Sequence, residues 1–129
     1  MRGVLLDTHA FVWNLNEPRR LSARARSAIE GATDVLVSPI SFFEVGQKVR
    51  IGKWPEASAV LPRLQPVFRE RGGAVARLDS DICLAAATLD WPNRDPFDRI
   101  IAATCLAEGL ALVSADAAFD GLGRLVRVW

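Results

Sequence analysis

The chain has 129 residues, of which 50% are hydrophobic and 24% are charged, and its formal net charge is only +1. This length is typical of one domain with its own core, and we take residues 1–129 as that single domain. A chain with so much apolar mass is not expected to be disordered. The small net charge excludes a polybasic module that holds nucleic acid by bulk charge.

The cysteines and the N-terminal residues narrow the class of protein further. Cys83 and Cys105 form no CxxC pair and lie in apolar stretches, which predicts buried free thiols in a reducing compartment. The apolar residues 4–6 are followed by Asp7 before a signal sequence could form. No apolar run approaches the roughly 18 residues of a membrane span. We therefore expect a soluble, cytoplasmic protein with no membrane partner.

Hydrophobic patterning predicts strands that alternate with helices along the chain. The predicted elements, in order, are a strand at 3–6, helices at 10–15 and 21–29, a strand at 35–37, helices at 39–50 and 57–71, a strand at 74–78, helices at 80–89 and 96–108, and strands at 110–113 and 125–128. Pro62 and Pro66 interrupt the 57–71 pattern, because each lacks a backbone donor. The alternation predicts an α/β fold, a three-layer α/β/α sandwich with a central, mostly parallel sheet.

Four acids fall where predicted strands end or the next helices begin. Asp7 follows the first strand, Glu44 lies near the start of the 39–50 helix, Asp98 lies in the first turn of the 96–108 helix, and Asp116 follows the 110–113 strand. The carboxyl ends of parallel strands share one sheet edge, where ligands bind. Clustered carboxylates repel one another without a cation, and Mg²⁺ or Mn²⁺ prefers such oxygen ligands. The pattern predicts a metal site that activates water for attack on a phosphate.

Each acid also has a structural explanation when it is taken singly. Asp7 could cap the helix that follows, and Asp116 could be a turn residue. Asp98 suits the helix dipole, and Glu44 could complete a capping box with Ser41. Four coincidences at one sheet edge favour the functional interpretation of the set.

Four segments, in this order, resemble the successive motifs of PIN-domain ribonucleases, and more narrowly of the VapC-type toxins of bacterial toxin–antitoxin modules. They are residues 5–9 (LLDTH), 41–45 (SFFEV), 94–103 (RDPFDRIIAA) and 113–116 (VSAD). The Asp-Pro-Phe-Asp-Arg element is the most specific of them. The resemblance extends from the first strand to the terminal residues 126–129.

This resemblance implies a metal-dependent endoribonuclease that uses one or two Mg²⁺ or Mn²⁺ ions. The family's acids match Asp7, Glu44, Asp98 and Asp116, and its small hydroxyl residues match Thr8 and Ser114. A homodimer, a cognate antitoxin protein as inhibitor and RNA as substrate are also implied. Asn93 stands where the subgroup often has histidine, so no histidine lies near the third acid.

Four further residues have roles that the pattern leaves open. Asp95 suits an N-cap that holds Asp98 in place, with contact to metal or water as the alternative. Arg99 is expected either to contact the scissile phosphate or to pair with a carboxylate. Trp54 lies in a loop-like stretch, and we expect it to form part of a groove for an antitoxin segment. His9, the only histidine, is expected to pack rather than to ligate metal.

Two other α/β enzyme classes fit the sequence poorly. A phosphate-accepting receiver domain needs a lysine late in the chain, and none follows Lys53. A haloacid-dehalogenase phosphatase needs Asp-x-Asp after the first strand, where this chain has His9. The alternatives that stay open are a catalytically inactive PIN-like scaffold and a housekeeping PIN nuclease without an antitoxin. The four intact acids argue against the scaffold.

Overall fold

The computed structural model describes residues 3–129 and places a five-stranded sheet at the centre of the molecule. The strands are β1 (Gly3–Leu6), β2 (Asp34–Val37), β3 (Ala74–Val75), β4 (Ala111–Val113) and β5 (Arg127–Val128). Their order across the sheet is β3-β2-β1-β4-β5, and every pairing within the described chain is parallel. In the central register, Leu5 lies between Leu36 and Leu112.

Within residues 3–129, six α-helices connect the strands. They are α1 (Thr8–Asn16), α2 (Ala23–Gly31), α3 (Pro39–Arg50), α4 (Leu64–Glu70), α5 (Ser80–Thr88) and α6 (Pro96–Glu108). All except α4 begin at a serine or aspartate whose side chain accepts a backbone N–H of the first turn, which supplies a partner that the helix itself lacks. Gly109 ends α6 with φ at +66°, a conformation that favours glycine.

Alternation along β1 divides the core between the two faces of the sheet. Val4 and Leu6 belong to the cluster packed under α1 to α4, whereas Leu5 belongs to the cluster under α6. Helix α5 packs on α6 through Ile82 and Ala86. The predicted three-layer α/β/α sandwich with a parallel sheet is confirmed.

Several predicted elements differ from the structure. The prediction of a single helix at 57–71 is wrong, because the chain forms two short 3-10 helices, Pro55–Ala57 and Leu61–Arg63, before α4 begins. Starting at Leu64 places Pro66 in the first helical turn, where its missing N–H costs nothing. The edge strands β3 and β5 have two residues each, shorter than predicted.

Two other expectations concern the cysteines and the membrane. Cys105 is buried, which raises the pKa of its thiol to about 12, but Cys83 is exposed, so the prediction of two buried thiols is half wrong. Within residues 3–129 none of the helices has the length and apolar character needed to cross a bilayer.

Candidate active site at the carboxyl edge of the sheet

The fold brings the four predicted acids to the edge where the parallel strands end. Asp7 directly follows β1 and its backbone N–H donates to the carbonyl of Val113 at the end of β4, at 3.1 Å. Asp116 lies three residues after β4. Helices α3 and α6 contact each other and carry Glu44 and Asp98.

Asp7 is the N-cap of α1 and is largely enclosed by the core. Its Oδ1 accepts the backbone N–H of Ala10 at 2.8 Å. Burial raises the pKa of Asp7, while hydrogen bonds with Ser114 and Ala10 oppose the shift. Repulsion from Glu44 acts in the same direction as burial. Asp7 therefore caps α1, which is the structural role considered for it above, and it is also repelled by another acid, Glu44.

Glu44 is buried and held by hydrogen bonds on both of its oxygens. Oε1 accepts the hydroxyl of Thr8 at 2.5 Å, and Oε2 contacts Nζ of Lys48 at 2.7 Å. Thr8 Oγ1 also lies 2.9 Å from Oγ of Ser41. A hydroxyl has one proton, and the short contact to the carboxylate identifies Glu44 as its acceptor, so Ser41 donates to Thr8. The predicted capping box is wrong, because Ser38 caps α3 and Ser41 lies in its first turn.

We expect Thr8→Val to lower the free energy of unfolding by about 1–3 kcal/mol, because it leaves an oxygen of buried Glu44 without its donor. The change keeps the shape of the side chain. The matched control is Thr88→Val, since Thr88 is exposed and bonds only carbonyls of its own helix. Urea denaturation measures both, and equal losses in the two variants contradict the assigned role of Thr8.

Asp98 lies in the first turn of α6 and contacts the preceding loop. Its Oδ2 accepts Nδ2 of Asn93 at 3.1 Å. Asp95 is the helix N-cap, and its Oδ1 accepts the N–H of Phe97 at 2.8 Å and of Asp98 at 3.2 Å. Burial is the main reason that the pKa of Asp98 is raised to about 6. Repulsion from neighbouring acids acts in the same direction, and the hydrogen bond from Asn93 opposes the shift. The expected capping role of Asp95 is therefore present in the structure.

Asp116 is exposed and begins the 3-10 helix Ala117–Gly121. Its Oδ1 accepts the N–H of Ala118 at 2.9 Å, and its own N–H donates to Oγ of Ser114 at 3.0 Å. Ser114 is fully buried and also hydrogen-bonds the carboxyl group of Asp7. One hydroxyl thus ties the first acid to the segment that carries the fourth.

The four carboxylates are coupled to one another by charge. Glu44 repels both Asp7 and Asp98, and Asp116 repels Asp98. These oxygen donors and their mutual repulsion fit a hard divalent cation. Among residues 3–129, however, no three His, Cys, Asp or Glu side chains are grouped closely enough to hold a metal ion. The four-ligand metal site stays a prediction that needs water molecules or rotated side chains to complete the coordination.

The raised pKa of Asp98 predicts the pH dependence of stability in metal-free protein. From the ordinary pKa of 3.8 up to about 6, the unfolded chain loses its proton before the folded chain does. The folded state is therefore destabilised as the pH rises through this window, and Asp98→Asn removes the penalty. We expect the stability of Asp98→Asn relative to the parent to be greater at about pH 7.5 than at about pH 4.5. Urea denaturation in EDTA measures this, and a pH-independent difference contradicts it.

Arg99 does not pair with a carboxylate, which corrects one of its two expected roles. Its guanidinium donates to five backbone carbonyls at the end of α5 and in the following loop. Its ion pairing was predicted from sequence proximity to the acids, which does not reveal where a long side chain points. None of the ion pairs within residues 3–129 includes it.

The aromatic residues near the acids are arranged differently from expectation. Trp54 lies in a loop, as expected, but its side chain is buried in the core and stacks on His9 with ring centroids 4.5 Å apart. The packing role expected for His9 is present, and the antitoxin-groove role of Trp54 stays a prediction. Phe43, next to Glu44, is 59% exposed, and the centroid of its ring lies 6.1 Å from that of Phe97. Sequence reasoning missed this contact between exposed Phe43 and half-buried Phe97.

Lys48 was also missed as a residue of the acid edge. Its position four residues after Glu44 on a predicted helix is the spacing of a helical ion pair, and that signal was available in the sequence. The pair places a positive charge beside Glu44.

Comparison with known proteins identifies the family. Residues 4–125 match the PIN domain. The chain belongs to the PIN domain family. This PIN domain is 37% identical over 119 residues to Ribonuclease VapC22 of Mycobacterium tuberculosis, covering 90% of this chain and 88% of that protein. The resemblance read from the sequence motifs is thereby confirmed.

Two solved structures share the fold of this PIN domain. One is VapBC2 from Rickettsia felis bound to a DNA fragment from their promoter, with a TM-score of 0.68, 16% identity, and coverage of 97% of this chain and 96% of that one. The other is a toxin–antitoxin complex from Klebsiella pneumoniae, with a TM-score of 0.63, 19% identity and 95% coverage of each chain. At these identities the two structures establish the architecture alone.

Proposed function

We propose that this PIN domain, taken as one unit over residues 1–129, is a metal-dependent endoribonuclease that acts as the toxin of a toxin–antitoxin pair. The observation that supports the proposal is the position of the four acids: Asp7 and Asp116 follow β1 and β4, and Glu44 and Asp98 lie on the contacting helices α3 and α6. Carboxylates that repel one another cost folding energy, and a cation bound between them would offset that cost. The similarity to a ribonuclease over most of the chain supports the type of reaction.

The four acids would hold one or two Mg²⁺ or Mn²⁺ ions. A bound ion of this kind lowers the pKa of a water molecule and stabilises charge that develops on a phosphate. The protein's own side chains orient the acids: Ser114 hydrogen-bonds Asp7, and Thr8 donates to Glu44. The ammonium group of Lys48, 2.7 Å from Glu44, reduces the repulsion that an RNA phosphate meets at this edge.

The proposed partners are an RNA substrate, a cognate antitoxin protein and a second copy of the chain. The structural neighbour from Klebsiella pneumoniae is a toxin–antitoxin complex, which supports the search for such a partner. A toxin that cleaves RNA acts in the cytoplasm, and we propose that location.

The test is RNA cleavage by the purified, partner-free protein. We expect cleavage in Mg²⁺ or Mn²⁺, its loss in EDTA and its return when the ion is restored. Cleavage that persists in EDTA contradicts metal dependence, and absence of cleavage with either ion favours the inactive scaffold. If the protein cleaves RNA but no neighbouring reading frame encodes an inhibitory partner, the housekeeping nuclease is favoured instead.

A further inference from the structure

Arg99 hydrogen-bonds the loop between α5 and α6 at several points. Arg99 donates through Nε to the carbonyl of Ala86 at 2.8 Å, and through Nη1 to the carbonyls of Trp91 at 2.8 Å and Asn93 at 2.7 Å. Nη2 donates to the carbonyls of Leu89 at 2.6 Å and Ala87 at 3.4 Å. A guanidinium has five N–H donors, and all five are used here.

The carbonyls that accept from Arg99 lie in two segments, the end of α5 and the loop that follows it. Ala86 and Ala87 lie in the last turn of α5, where carbonyls lack partners within the helix and favour a nearby positive charge. Trp91 and Asn93 lie in the loop that leads into α6. Arg99 therefore caps the end of α5 and fixes the loop against the first turn of the helix that also carries Asp98.

Asn93 is fixed at three points by this arrangement. Its carbonyl accepts from Arg99, and its Oδ1 accepts the backbone N–H of Asp95 at 2.9 Å. Its side-chain nitrogen, Nδ2, donates to Oδ2 of Asp98 at 3.1 Å. A turn aspartate or asparagine needs only the bond to the N–H two residues on. The bond to Asp98 is additional, and it engages Oδ2 of that acid.

We propose that Asn93 and Arg99 form a positioning pair, in which Arg99 holds the loop so that the Asn93 amide orients the carboxylate of Asp98 for a divalent cation. Neither side chain contacts the reacting groups. The inference deepens the proposed function and rests on it. Groups that orient a metal ligand affect affinity and rate by about 10–100-fold when they are removed.

Two variants test the pair, with one matched control. Asn93→Leu keeps the approximate size of the side chain and removes its amide, and with it both the donor to Asp98 and the acceptor of the Asp95 N–H. Arg99→Lys keeps the charge and removes the fork of donors. The control is Arg77→Lys, because Arg77 pairs with Glu108 and so holds the opposite end of α6 from Asp98. Circular dichroism melting establishes that each variant is folded.

The first measurement is Mn²⁺ affinity of the RNA-free protein by calorimetry, followed by kcat and KM for RNA cleavage. We expect Asn93→Leu and Arg99→Lys to weaken Mn²⁺ binding and to lower kcat by about 10–100-fold. KM should change by less than about threefold, because neither residue is assigned to RNA binding. Arg77→Lys should behave like the parent. Folded variants with parental Mn²⁺ affinity and kcat overturn the inference.

The second measurement needs neither metal nor RNA. The side-chain amide signals of Asn93 in NMR spectra should shift in Asp98→Ala and in Arg99→Lys, and should stay in place in Arg77→Lys. Asn93 signals that are unmoved by both changes overturn the inference even when the protein is an active nuclease. A parent protein that neither binds Mn²⁺ nor cleaves RNA refutes the proposed function, while the NMR result still decides whether the pair holds Asp98. If Arg99→Lys fails to fold, Asn93→Leu and Asp98→Ala decide.

Discussion

Asp7→Asn is expected to reduce RNA cleavage by more than about 100-fold. This exceeds the loss of about 10–100-fold that is usual when a residue that only orients a metal ligand is changed. The variant should be as stable as the parent or more stable. Asparagine is as good an N-cap as aspartate, so the bond to the N–H of Ala10 can be kept. The carboxylate is the group that is lost, and burial and Glu44 both disfavour its charged form in the folded protein.

The stability result separates this explanation from general damage to the fold. Because the folded protein raises the pKa of Asp7, the charged group destabilises the folded state near neutral pH, and a neutral replacement relieves that penalty. Cleavage assays and urea denaturation on the same preparation measure both effects. A variant that loses activity together with stability contradicts the assignment of Asp7 to the reaction.

Asp120→Asn is the matched control for Asp7→Asn. Asp120 lies in the 3-10 helix that Asp116 begins, but it is exposed and both of its oxygens pair with Arg127. That pairing lowers the pKa of Asp120, the opposite of the shift at Asp7. Cleavage should change by less than about twofold, since exposed pairs of this kind contribute little. If both variants lose activity equally, the loss reflects net charge rather than position.

Most of the fold could be predicted because its central elements have strong local signals. Strands β1 and β4 are wholly buried, and helices α3 and α6 begin at Ser-Pro and Asp-Pro pairs that define their first residues. The 57–71 stretch has helical spacing of apolar residues, but its prolines decide where a helix can start. Periodicity alone does not weigh these two signals against each other.

The location of the site followed from topology, but its contacts did not. A parallel sheet brings Asp7 and Glu44 to one edge whatever their separation in sequence. The bond from Thr8 to Glu44 spans 36 residues and depends on how α1 packs on α3, which no local pattern encodes. Ser41 was assigned to a cap that Ser38 provides, because both serines suit a helix start and only the structure chooses between them.

Phe11→Ala is expected to lower the free energy of unfolding by about 3–5 kcal/mol, a large share of the stability of a small domain. Phe11 is fully buried in α1 and meets the rings of Phe42 and Phe68 edge-on, with centroids 5.2 and 5.1 Å apart. Truncation leaves a cavity and removes both ring contacts. Urea denaturation measures the loss. Phe43→Ala, at a 59% exposed site, should cost less than about 1 kcal/mol, and similar losses at both positions contradict the described core.

The same residue connects the core to the acids, which a second comparison tests. Phe11 lies one turn after Asp7 and Thr8, so it anchors the helix that presents both side chains to the sheet edge. Phe68 faces it from α4, which carries none of the four acids. Phe68→Ala should lower the free energy of unfolding by a similar amount, because it also leaves a cavity and removes the ring contact with Phe11. Measured per folded molecule, RNA cleavage should fall in Phe11→Ala and stay near the parental value in Phe68→Ala. Equal activities in the two variants would mean that the packing of α1 does not govern the geometry of the acids.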